Sequence, residues 1–153
     1  MKAKNIILIV ALFSTITCFG QNSVFDKFAD RNDVTSVYIS KAMFQMMPDM
    51  NMEGLDLGNM KGKMESLQIL TTKDKKIAEE MRKAFSSMEN REREELMRVQ
   101  DGNTRASFFA IKKGDLISEL FMLADTEGDF TVIQLLGNFT LQDVQEITAA
   151  VNK

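Results

Sequence analysis

Apolar residues recur along this chain at two spacings, and the switches between them divide it into elements. Val24, Phe25 and Phe28 stand on one helical face in "SVFDKFADRNDV" and Asn32-Asp33 punctuates the end, which predicts a short first helix. "VTSVYIS", residues 34–40, is β-branched and alternates, so it reads as a strand; "KAMFQMM" is helical again until Pro48 stops it. Gly54, Gly58 and Gly62 make the following stretch loop-like or weakly helical. "SLQILTT" predicts a second strand. Thr72 then caps a helix over 73–88, where Ile77, Ala78, Met81, Ala84, Phe85 and Met88 form one stripe opposite Lys, Glu and Arg.

The second half alternates more regularly. Turn signals "DGN", "KKGD" and "TEGD" separate four runs with strand character, 96–100, 105–112, 116–124 and 130–136, which predict an antiparallel meander. The third run is apolar on both sides, with Leu116, Leu120 and Met122 on one and Ile117, Phe121 and Leu123 on the other. A sheet with two apolar faces needs cover on each, from helices or from a partner. Thr140 opens a terminal helix striped by Leu141, Val144, Ile147 and Val151, with Asp143 at the capping-box position in place of the usual Glu. The expected class is α+β: a mainly antiparallel sheet, built on a C-terminal four-stranded meander and packed with three to four helices.

Length and composition fix the organisation. The 153 residues, 44% of them apolar, suit one domain with its own core. The first twenty, "MKAKNIILIVALFSTITCFG", put two lysines ahead of an unbroken apolar run over 6–13 and then small and polar residues, the pattern of a signal peptide. The division is therefore 1–20 signal peptide and 21–153 a single α+β domain, with cleavage after Gly20. The alternative is a lipoprotein anchored through Cys18, for which Thr17 is a poorer fit than the usual Gly, Ala or Ser. No later stretch reaches the ~20 apolar residues that a membrane helix needs. The only Cys lies in or beside the removed segment, so no intramolecular disulfide forms and export to the periplasm or cell envelope leaves stability to packing. Without Lys2 and Lys4, 17 basic residues face 22 acidic ones, a net −5, which argues against nucleic acid as a partner.

Candidate chemistry is sparse. The chain has no His and no Trp, which removes His-assisted hydrolysis, ordinary zinc sites and haem ligation through His. An enzyme here would rely on carboxylates, on Lys73, Lys75, Lys76, Lys112 or Lys113, or on Tyr38, the single tyrosine. No catalytic, cofactor-binding or metal residue is assigned, and no cofactor is expected. Met43, Met46, Met47, Met50, Met52, Met60 and Met64 fall within 22 residues. Thioethers select Cu(I), but Pro48 breaks the helix before Met50, so spacing alone brings no three sulfurs together. Core packing is the preferred reading, with a pliable contact surface and a copper site as alternatives. "DMNMEG" supplies the first, third, fifth and sixth places of a calcium loop through Asp49, Asn51, Glu53 and Gly54, and then fails, with Asp56 in the eighth place and Met60 in the twelfth. "ENREREE" alternates its acids with Arg91 and Arg93 and reads as a solvated, self-neutralising connection.

Taken together, "VYISKAMFQMMPDM", "ESLQIL", "ELMRVQDG", "ISELFML" and "LLGNFTLQDVQEI" resemble domain-of-unknown-function family 4252, exported proteins of Bacteroidota, in the same order over nearly all of the mature chain. The shared stretches are strand cores, turns and caps, so the resemblance implies no catalytic residue. It implies an envelope protein with a link to envelope signalling. The expected function is a non-catalytic binding module for an unknown envelope protein or ligand, acting through one side of its sheet or through the Met-rich segment. A Met-rich Cu(I) chaperone and a His-free hydrolase or lyase are the alternatives.

Overall fold

The computed structural model describes residues 22–46, 51–52, 55–56, 62–89 and 93–151, and among them are four helices and eight strands. In chain order they are α1 (Asn22–Ala29), β1 (Thr35–Ser40), α2 (Lys41–Met46), β2 (Asn51–Met52), β3 (Leu55–Asp56), β4 (Met64–Thr72), α3 (Lys75–Glu89), β5 (Glu94–Asp101), β6 (Thr104–Lys113), β7 (Leu116–Asp125), β8 (Phe130–Phe139) and α4 (Leu141–Val151). The meander from β5 to β8 follows the turn signals. Gly102-Asn103 joins the pair Asp101↔Thr104 and Gly114-Asp115 joins Lys113↔Leu116, with Gly102 at φ 56° and Gly114 at φ 64°, as two-residue hairpin loops require. The four-residue turn into β8 is closed by the Thr126 N–H donating to the Asp129 carbonyl at 2.9 Å.

The expected four-stranded meander is two strands short of the observed sheet. Six strands run in the order β1-β4-β8-β7-β6-β5, every neighbouring pair antiparallel, because β8 also pairs with β4, and β4 with β1. Alternation marks a strand without naming its partner, and these partners lie far apart in sequence. β2 and β3 form a separate two-stranded ribbon in a region that reads as loop or weak helix from its glycines. Asp74, rather than Thr72, caps α3: its Oδ1 accepts the Lys76 and Ile77 N–H groups at 2.8 and 2.9 Å. The Thr72 hydroxyl instead donates to the Asp33 carbonyl at 2.7 Å, fastening the loop that enters β1.

Helices cover the two faces of the sheet at diagonally opposite ends. On one face α1 and α3 lay Phe25, Phe28, Ile77, Met81 and Phe85 over Leu70, Phe109, Phe121, Leu123, Phe130 and Val132. Phe85 is the hub, its ring 5.0 Å from Phe25 and 5.9 Å from both Phe28 and Phe121. Arg82 ties α3 down at the sheet's end, bonding Asp125 at 2.5 Å with its guanidinium over the Phe130 ring. On the other face Phe44 of α2 and Val144 of α4 pack with Met64, Ala110, Ile117, Leu135 and Phe139. Ile117 lies on this second face, not beside Phe121 and Leu123 as strict alternation has it, because a bulge at Ser118 shifts the register and flips the residues before it. A matching irregularity between Met64 and Ser66 brings the Asn138 N–H 2.9 Å from the Lys63 carbonyl. Gly137 makes this approach possible, since a Cβ there would run into that carbonyl oxygen and the Phe139 ring.

Candidate interaction surface

Diagonal cover leaves one quarter of the sheet bare among the described residues. Cross-strand register lines up Val37, Ile69, Ile133, Met122, Phe108 and Met97, one from each of the six strands. The neighbouring row is Thr35, Thr71, Thr131, Ala124, Ala106 and Val99. No residue of either row is charged and none is buried, and at the two edges Val37 and Val99 are 39% and 38% exposed. Within the rows the Thr71 and Thr131 hydroxyls hydrogen-bond to each other at 3.1 Å. Strands ~4.8 Å apart with same-face residues ~6.7 Å apart give a surface on the order of 400 Å². The largest apolar patch on a monomer is typically of about that size and is often functional.

The corresponding quarter on the α1/α3 face is polar and sealed. Glu119 of β7 accepts from Arg93 at 2.5 Å and from Gln134 of β8 at 3.1 Å. The Arg93 and Glu119 side chains are 1% and 3% exposed, and the guanidinium stacks 4.7 Å from the Phe121 ring centre. "ENREREE" is thus only partly the solvated connection its composition implies. Its Arg93 is swallowed by the sheet, while Glu94 and Glu95 lie in β5 and pair with Lys112 at 2.6 Å and Arg98 at 2.7 Å. A signal for this network exists in the sequence: Glu119 is the lone acid in "LISELFML", and an acid in a strand apolar on both faces needs a buried cation. Among the described residues Asp143 is the other buried acid. Burial pushes its carboxyl up, but hydrogen bonds from Lys63 at 2.7 and 2.8 Å and from the Thr140 N–H and hydroxyl outweigh this and hold it below the usual range. The Thr140–Asp143 capping box forms as the sequence predicts, with the Asp143 N–H returning to the Thr140 hydroxyl at 3.2 Å. The hydrogen bond from Arg31, with its charge, lowers the Glu80 carboxyl at the surface.

The methionines scatter. Met64 is buried in the α2/α4 core, whereas Met43 and Met46 project from α2, Met46 72% exposed. Met47, Met50 and Met60 lie outside the described residues, as do Asp49, Glu53 and Gly54 of the calcium-like stretch; Asn51 and Asp56 pair across the β2–β3 ribbon. Among the described residues no three His, Cys, Asp or Glu side chains converge as a metal site would require, and no helix is long and apolar enough to cross a membrane.

The family described as a domain of unknown function (DUF4252) matches residues 27–147. The chain belongs to the DUF4252 family. The match runs from within α1 to within α4, so it takes in all six strands of the main sheet and the open rows between the helices. No curated protein and no solved structure matches this DUF4252 member.

Proposed function

We propose that this protein is an exported, non-catalytic binding module of the cell envelope, and that a partner protein with a complementary apolar surface docks on the two open rows. The observation that carries this reading is the register itself. Twelve uncharged positions on one plane span the full width of the sheet with no described helix packed over them. Flat apolar surfaces with a polar rim are suited to protein partners. The two buried acids, Glu119 and Asp143, are each held by a cation, which suits structural roles better than proton transfer. The copper-chaperone reading loses Met64 to the core. Processing after Gly20 and residence in the periplasm or envelope belong to the same proposal.

A photo-crosslinking residue placed at Met122 tests the reading in intact cells, with Ser107 on the helix-covered face as control. A discrete adduct from position 122 that disappears with Phe108→Ser and Ile133→Ser, in protein of unchanged far-UV circular dichroism, is the expected result. The proposal fails if position 122 gives no adduct, or if the adduct survives both changes.

A further inference from the structure

The two edges of the sheet are built differently. β5 carries Glu94, Glu95, Arg98 and Asp101 and is interrupted by a bulge between Glu95 and Met97, features that discourage another strand from pairing. β1, "TSVYIS", has no charge, no proline and no bulge. Its register runs unbroken from Thr35↔Thr71 to Ser40↔Ser66, and its first four residues are exposed. Among the described residues nothing pairs with its outer side. An edge strand with these properties is a template for strand addition.

Directly beside it, on the α1/α3 face, lies a cavity of about 300 Å³ between α1 and the β1–β4 pair. Phe25 and Leu70 make its apolar wall, and Asp26, Ser36, Tyr38 and Gln68 supply its polar atoms. The Gln68 Oε1 is buried with no hydrogen-bond partner, and Tyr38 is 63% exposed. The lining includes one carboxylate and no cation. The two basic residues of the adjoining helix and turn are engaged elsewhere, Lys27 over the Phe28 ring and Arg31 with Glu80.

We infer that the free edge of β1 accepts an extended peptide segment as a seventh strand, and that one Lys or Arg side chain of that segment enters this cavity. A strand added ~4.8 Å outside β1 turns alternate side chains to the face of Ser36 and Tyr38, which is the face on which the cavity opens. A long basic side chain fits each part of the lining. Its methylenes lie on Phe25 and Leu70, its charge meets Asp26 and the Tyr38 ring, and its N–H groups supply the donor that Gln68 lacks. The volume stands at the lower limit for small-molecule pockets, which favours a single side chain over a larger ligand. Apart from Val37, which borders both, this site lies on the opposite face from the open apolar rows, and the two proposals are tested separately.

The test uses the processed chain and a fluorescent peptide of alternating Val and Thr with one central Lys, read by anisotropy and by amide hydrogen exchange. Binding should slow exchange in β1, fall about tenfold or more when the peptide Lys is replaced by Glu, and disappear when the peptide's pairing amides are N-methylated. Asp26→Asn, at an exposed position, should remove the preference for Lys over Glu while leaving the fold intact. Equal binding of the Lys and Glu peptides, binding that survives N-methylation, or no binding at millimolar peptide would each overturn the inference. So would protection of β1 that grows with protein concentration alone, because a second copy would then occupy the edge.

Discussion

β7 and β8 present apolar side chains on both sides, yet the two sides have different fates. Toward α1 and α3, Phe121, Leu123, Phe130 and Val132 are buried beneath the Phe85 cluster. Toward the opposite side, at the same level of the same strands, Met122 and Ile133 are only half-buried. Side-chain character does not separate the two groups. What separates them is where the connections place helices: α3 links β4 to β5 across one face, while α2 and α4 start at the far ends of β1 and β8 and cover only that end of the other. Apolarity therefore states that a surface wants cover and leaves open what provides it.

The largest test of this contrast is a matched pair of truncations. Phe85→Ala should cost about 3–5 kcal/mol in urea unfolding, since it empties the centre of the buried cluster. Phe108→Ala on the open row should cost less, roughly 1–2 kcal/mol, because that ring is only part-buried. Equal losses would mean that the open rows are covered in the folded protein and would end the comparison. A second variant examines the sealed polar quarter. Glu119→Leu should cost about 3–5 kcal/mol by leaving the Arg93 charge buried without its acid, and adding Arg93→Met should recover most of the loss. If Glu119→Leu alone were neutral, the guanidinium would have to be satisfied by its other contacts or by solvent. The smallest effect belongs to Asp143. Asp143→Ala should cost about 0.5–2 kcal/mol at neutral pH through the lost cap and the lost Lys63 contact. Its carboxyl is lowered in the folded state, so the contribution is complete above the unfolded value of about 3.9 and is lost as pH falls through the folded value. The gap between native protein and variant should accordingly hold from pH 8 to about pH 5 and close in acid; a gap that widened there would reverse the assigned sign.

Strands joined by short turns were readable from sequence because Gly102 and Gly114 sit at the tips of alternating runs, and the α3 stripe through Ile77, Met81 and Phe85 was readable for the same local reason; of the stripe expected on α4, Val144 is buried, Leu141 is exposed, and the side chains of Ile147 and Val151 lie outside the described ones. Strand order was not. The pairing of β4 with β8 depends on edges that no local pattern describes, and the bulge at Ser118 moves Ile117 to the other face without any marker in "LISELFML". Composition misled at Arg93, where neighbouring acids in sequence suggested solvent while a buried partner, Glu119, lies 26 residues away. The open rows were half legible. The two apolar sides of β7 showed that a cover was needed, but only the helices' positions reveal which quarter lacks one.

The seam between β4 and β8 bears on how the chain reaches this state. Thr71 and Thr131, hydrogen-bonded neighbours across the seam, stand sixty residues apart, whereas the hairpins of the meander close over turns of two to four residues. Loop-closure entropy rises with that separation, so the hairpins assemble early and the β1–β4 pair arrives late. Until it does, β8 is an exposed edge beside an apolar sheet, the kind of species that sticks to others of its own sort. A chain of this design depends on the speed of that last docking step as much as on the stability of what it completes.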